Sequence, residues 1–285
     1  MPLFLQSTAV NASERPQRVL AVLGMHRSGT SCLTGSLQAG GLFLGKHHTW
    51  NEYNRKGNRE NQDVVNLHEG IFKSNGATWT DPKRHNSLID NYFERPLKWH
   101  ARHYARAREI LAEYAHEPLW GFKDPRALFL LHGWKQMIPD IEFVGIFRHP
   151  MAVAQSLNSR PALPISIEQG LQMWLVYNRA LLKQYEEKPF PLLCFDWSEE
   201  EFHHHLNDLH TELKLKPISP EQRFYTGDLH KQKIESDIAL PADVKILYKQ
   251  LKKLEYAGFD SAQPASRSLS ETEERSLSGV EGTNR

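Results

Sequence analysis

Cysteine is scarce in this chain: Cys32 and Cys194 are the only two in 285 residues. Two thiols cannot build a disulfide framework, and their scarcity fits a reducing, cytoplasmic compartment. No apolar run approaches the roughly 18 residues that a membrane span requires. The first 16 residues lack a basic segment leading into an apolar one, which argues against a signal peptide. A surplus of one charge is also missing: 35 Lys and Arg face 34 Asp and Glu, leaving a net charge of +1. No global field is available to attract nucleic acid, so affinity for anions has to come from local clusters. What remains is ordinary. Fractions of 40% hydrophobic and 24% charged residues are those of a folded globular protein, and the length suits one large α/β domain or two small ones.

The most informative stretch is also defined by an absence. Val19 to Leu23 is a short, unbroken apolar run rich in branched residues, as expected for a strand buried on both faces of a parallel sheet. Gly24 to Ser31 follows, reading G-M-H-R-S-G-T-S, and residues 31–42 then read as a helix. A strand, a glycine turn and a helix N-terminus present backbone N–H groups and a positive dipole end to one spot, which makes an anion cradle. Gly24 and Gly29 have the spacing of a nucleotide-triphosphate loop, but Thr30 stands where that loop carries lysine. The cation has moved inside the turn, to Arg27. The later apolar run 141–147 ends in Arg148 instead of a magnesium-binding aspartate. Arginines without that carboxylate suit a phosphosulfate better than a magnesium-chelated triphosphate.

Strand-like and helix-like segments alternate along the chain. Short apolar runs stand at 119–122, 141–147 and 191–195, with helical patterns at 63–72, 88–114, 127–137, 150–160, 167–182, 199–213 and 241–256. This order implies an α/β fold: a P-loop-type parallel sheet of four to five strands flanked by helices. Residues 1–16 read as a loose arm, 17–260 as one domain with an acceptor-binding insertion at about 46–116, and 261–285 as a disordered tail. Ligands of such sheets bind at the carboxyl ends of the strands, where the cradle, Lys123 and Arg148 all fall.

A second motif, R-H-P-M-A-V-A-Q-S, begins at Arg148 and ends at Ser156. Pro150 suits the first turn of a helix, so Arg148 and Ser156 reach the same region, with Arg160 one turn further on the same face. Together, G-M-H-R-S-G-T-S, R-H-P-M-A-V-A-Q-S and the F-K-D-P-R at 122–126 resemble the sulfotransferases that use 3′-phosphoadenylyl sulfate (PAPS). The first looks like their 5′-phosphosulfate loop, the second like their 3′-phosphate motif, and the third like the Lys-Asp-Pro segment of tyrosylprotein-type and bacterial members. F-D-W-S-E-E at 195–200 is loosely similar to a further element of the family. The resemblance spans about 19–197. It implies that Arg27, Ser28, Gly29, Thr30 and Ser31 hold the phosphosulfate, that Arg148, Ser156 and Arg160 hold the 3′-phosphate, and that Lys123 meets the transferring group. It implies PAPS as co-substrate, a small-molecule or carbohydrate hydroxyl as acceptor, and no metal.

The general base is expected at Glu60, with His68 and Asp124 as the other candidates; Asp124 could instead orient Lys123 or Arg126. A basic turn at 230–233 is the one candidate for a closing loop over the nucleotide. Trp50, Tyr53, Trp79 and Trp99 are candidates either for stacking on an acceptor or for packing. His203, His204 and His205 are consecutive on a helix and point in different directions, so a solvated face is expected there rather than a metal site. Two other readings compete with sulfuryl transfer: a P-loop kinase using Mg-ATP, and a nucleotide-binding module without activity. The sequence does not indicate an oligomeric state.

Overall fold

The computed structural model describes residues 8–49, 57–79, 96–160, 165–224 and 240–258. Four strands, β1 (Arg18–Leu23), β2 (Leu119–Lys123), β3 (Glu142–Phe147) and β4 (Leu192–Cys194), form one parallel sheet in the order β2-β1-β3-β4. The pairing Val22 to Lys123, Leu23 to Gly145 and Phe147 to Cys194 brings all four carboxyl ends to one edge.

Strand residues alternate between faces, and both faces are buried, as the near-continuous apolar runs require. Val19, Ala21, Leu23, Phe143, Phe147 and Cys194 enter one core. Leu20, Val22, Val144, Ile146 and Leu193 enter the other. Helices α1 (Thr30–Ala39) and α7 (Glu199–Glu212) cover the second face with Leu33, Leu37, Phe202, Leu206 and Leu209. Over the first lie α2 (Gln62–Ser74), α3 (Ala101–Glu113), α4 (Leu131–Met137), α5 (Pro150–Asn158), α6 (Ile167–Glu187) and α8 (Ala242–Lys253). The fold is thus the expected α/β sandwich, with a four-stranded sheet among the described residues.

Several elements differ from the sequence reading. The segment 96–100 is not helical, because its backbone is engaged by a side chain. Asn75 accepts from the Lys98 N–H at 2.8 Å and donates to the Lys98 carbonyl at 3.1 Å. Trp99 beside it packs so tightly on Gly133 that a Cβ there would lie 2.2 Å from the indole. A 3-10 turn, Pro125–Phe129, precedes α4 where one helix was expected, with the Asp124 side chain capping it at the Arg126 N–H. Residues 8–16 are anchored rather than loose: Val10 is buried, and the Arg15 guanidinium meets Asp140 at 2.7 Å. Trp50, Tyr53, the basic turn 230–233 and the tail 261–285 lie outside the described residues. No helix among the described residues is long and apolar enough to cross a membrane.

Candidate active site

The glycine turn departs from the carboxyl end of β1 with Gly24 at φ 153°, Arg27 at φ 69° and Gly29 at φ 88°. At Gly24 the reason is close approach: a Cβ would lie 2.4 Å from the Ile146 carbonyl on β3. Arg27 has no such licence, and a left-handed conformation costs a non-glycine residue about 1–3 kcal/mol. That strain closes the turn, in which the Ser28 N–H donates to the Met25 carbonyl at 3.2 Å. Gly29 is the N-cap of α1 and offers no side-chain acceptor to the helix's first N–H groups. The Ser28 hydroxyl is buried in the same turn without a hydrogen-bond partner among the described residues. Free helix N–H groups and an unsatisfied hydroxyl are what a bound oxyanion would use.

Three arginines from separate parts of the chain surround this turn. The Arg27 Nε donates to Ser156 Oγ on α5 at 2.8 Å. Arg148 leaves β3 fully inside the protein, with Nη1 3.5 Å from the Arg27 carbonyl. Burial, then Arg160 and Arg148, push the Arg27 guanidinium down to about 10. Cations that destabilise one another in this way attract an anion placed among them. Arg148 itself is fixed from behind, since the buried Trp174 indole donates to its carbonyl at 2.9 Å.

A cleft of about 250 Å³ opens here, and Arg27, Thr30, Ser31, Glu60, Lys123 and Arg160 are among the residues that line it. Lys123 stands at the end of β2, nearly buried, and its ammonium meets Glu60 Oε1 at 2.7 Å. Glu60 is aimed by the segment before α2: the Ser31 hydroxyl holds the Asn58 carbonyl at 3.1 Å, and Arg59 Nη1 holds Gln38 at 2.8 Å. Asn61 then caps α2.

The other two candidate bases lie behind the cleft wall. His68 and Asp124 are completely buried and bonded to each other, Nδ1 to Oδ2, at 2.7 Å. The Trp134 indole donates to His68 Nε2 at 2.9 Å, so the imidazole proton sits on Nδ1 facing Asp124. Asp124 also binds the Arg126 Nε at 2.8 Å. Burial alone would raise the Asp124 carboxyl, but the Arg126 guanidinium and the His68 hydrogen bond outweigh it and hold the group well below the usual carboxylate range. Asp124 holds Arg126, which reaches the cleft beside Glu69.

Glu69 carries no motif and was missed, whereas Trp79 was among the stacking candidates. Glu69 lies one turn after Val65 on α2, and both face the cleft. Trp79 stacks on His26 with ring centroids 4.4 Å apart. Burial, and then Arg126, push the His26 imidazole well below its ordinary value, which keeps it neutral. Trp99 is core, packed on Trp134. His203 is buried, His204 is exposed, and His205 stacks on Trp197, so the three rings diverge.

The family model described as "Sulfotransferase family" matches residues 20–196. The chain belongs to the sulfotransferase family. The match begins within β1 and runs just past β4, so it takes in all of β2, β3 and β4, most of β1 and every residue of the cleft discussed above. Among solved structures, the sulfotransferase is similar to the sulfotransferase domain from the Synechococcus PCC 7002 olefin synthase. That likeness has 17% identity, covers 84% of this chain and 94% of that one, and has a TM-score of 0.47. It is also similar to sulfotransferase STF1 from Mycobacterium tuberculosis H37Rv, at 15% identity over 83% of this chain and 76% of that one, with a TM-score of 0.40. No curated protein matches the chain.

Proposed function

We propose that this sulfotransferase moves a sulfuryl group from PAPS to an acceptor hydroxyl, a small molecule or a carbohydrate. The observation that carries the donor assignment is the 2.8 Å bond between Arg27 and Ser156, residues 129 positions apart. It joins the glycine turn to the second turn of α5, so one ligand can engage both. PAPS has an anion at each end of its ribose, and the clustered guanidiniums of Arg27, Arg148 and Arg160 suit that arrangement. The turn residues Arg27, Ser28, Gly29, Thr30 and Ser31 receive the phosphosulfate, and Arg148, Ser156 and Arg160 receive the 3′-phosphate.

PAPS supplies the activated sulfuryl group. The chain supplies position and charge. Arg27 and Lys123 offset negative charge growing on the oxygen that leaves sulfur, a role for which preorganised cations are worth several kcal/mol. Glu60, 2.7 Å from Lys123 and on the cleft wall, takes the proton of the attacking hydroxyl. Residues 57–79, part of the expected acceptor-binding insertion, contribute Glu60, Val65, Glu69 and Trp79 to the same cleft, which makes that wall the acceptor side.

Calorimetry tests the donor assignment. Adenosine 3′,5′-bisphosphate is expected to bind tightly without magnesium, and Arg148→Ala to abolish that binding. Equal or tighter binding of Mg-ATP would overturn the reading in favour of a kinase.

A further inference from the structure

Two residues beyond β4 turn back beneath the donor pocket, and no role above includes them. The Phe195 ring lies 5.3 Å from the Arg148 guanidinium carbon. The same ring fills the space beside Gly29, where an added Cβ would lie 2.3 Å from its Cδ2. One aromatic plane therefore touches both the glycine turn and Arg148. Asp196 takes the adjoining edge: its Oδ1 is 3.5 Å from Arg148 Nε, and its Oδ2 accepts the backbone N–H of His149. The carboxylate is thus tied to two consecutive residues where β3 gives way to α5.

A guanidinium can present its Nε edge, its terminal nitrogens or its flat face. Here the face rests on Phe195 and the Nε edge looks toward Asp196, while Nη1 looks toward the Arg27 carbonyl in the glycine turn. Arg27 stands nearby and repels Arg148. Without a restraint, that repulsion favours rotamers that carry Arg148 away from it. A carboxylate inside an anion-binding pocket weakens the attraction for the ligand, so its location is explained by aim rather than by affinity.

We propose that Asp196 is a positioning residue for the donor's 3′-phosphate: seated with Phe195, it points Arg148 into the pocket and fixes the spacing between the two anion subsites. Asp196 touches no substrate and acts through Arg148. The proposal rests on the donor reading given under Proposed function.

The test compares adenosine 3′,5′-bisphosphate with adenosine 5′-monophosphate, binding each to the full chain in calorimetry. The ratio of the two dissociation constants isolates the 3′-phosphate. Asp196→Asn keeps an acceptor for the His149 N–H but removes the charge. It is expected to lower the ratio about tenfold while 5′-monophosphate binding stays within about twofold. In turnover, the donor KM should rise while kcat holds. Asp196→Glu should recover part of the ratio, and Phe195→Leu should lower it by a smaller factor. An unchanged or larger ratio in Asp196→Asn overturns the proposal while leaving the donor reading intact. A wild-type protein that binds both nucleotides equally overturns both. Should Asp196→Asn lack a cooperative melt, Asp196→Glu decides: a shifted ratio supports the proposal and a wild-type ratio overturns it.

Discussion

On the wall built by the glycine turn and α5, cation stands beside cation, with one carboxylate, Asp196, 3.5 Å from Arg148 Nε behind them. Arg27 donates to a neutral hydroxyl, and Arg148 and Arg160 are close enough to lower its proton affinity. Across the cleft, each cation meets a carboxylate: Lys123 with Glu60, and Arg126 with Asp124 and Glu69. The cations are of similar kind, but their company differs, and so does the work they can do. Crowded guanidiniums store repulsion that an anionic ligand relieves. Paired cations carry less net charge and also hold carboxylates at fixed points, so Lys123 both fixes Glu60 and stands where charge develops. The contrast accords with the proposed division, in which the first wall takes the doubly charged donor and the second an uncharged hydroxyl and its proton.

If that division is right, damage to the paired wall should leave nucleotide binding alone. Glu60→Gln is expected to cut turnover by on the order of 10²–10⁴, with the affinity for adenosine 3′,5′-bisphosphate changed less than about twofold. A variant that instead loses nucleotide binding would merge the two walls. The next largest effect is on stability. Asp124→Ala strands the nearly buried Arg126 and leaves buried His68 without its partner, so a loss of about 3–5 kcal/mol is expected in urea unfolding. The dependence on pH follows from the direction of the shift. The folded Asp124 is held below its unfolded value of about 4, so its contribution is complete above that pH. It fades as the pH falls from there toward the lower folded value. The stability gap between wild type and Asp124→Ala should therefore be flat near neutrality and narrow in acid. A gap that widened in acid would reverse the sign of the pairing.

The donor wall was far more legible in sequence than its counterpart. Gly24, Arg27, Gly29, Arg148 and Ser156 belong to two contiguous motifs, each spanning a strand end and a helix start, and the parallel register does the rest. Local chemistry specified them because backbone N–H groups and glycines act at short range. Acceptor-wall residues come instead from α2, from the end of β2 and from Trp79, and no local spacing connects them. Glu60 was identified through resemblance, whereas Glu69 and Trp79 carry no motif. That His68 and Asp124 lie behind the cleft wall rests on burial and hydrogen bonds that a sequence does not display. The misplaced helix at 96–100 has the same cause: Asn75, more than 20 positions away, takes the backbone groups that a helix would have used.

Gly29→Ala probes where the walls share a foundation. The added methyl would enter the Phe195 ring, and the residue would be held at φ 88°. Strain of about 1–3 kcal/mol is expected. Because the ring also supports Arg148, bisphosphate affinity should fall along with the melting temperature. Loss of stability with unaltered affinity would separate the turn from the arginine.

The smallest expected effect on stability sharpens the comparison most. Arg59 is held at φ 57°, where glycine is at ease and arginine is not. Its Nη1 bonds Gln38 at 2.8 Å and its guanidinium lies over Phe224, ties that fasten the residue next to Glu60 onto α1. Arg59→Gly removes these ties but also relieves about 1 kcal/mol of left-handed strain. The two changes oppose one another, so the melting temperature should move by only a few degrees. Turnover has no such compensation, since a freed 57–60 segment lets Glu60 wander from the hydroxyl it must deprotonate. A fall of several-fold in kcat, with donor affinity and fold both retained, would show that the paired wall acts through placement. Unchanged kcat would mean that Lys123 alone is enough to hold Glu60 in place.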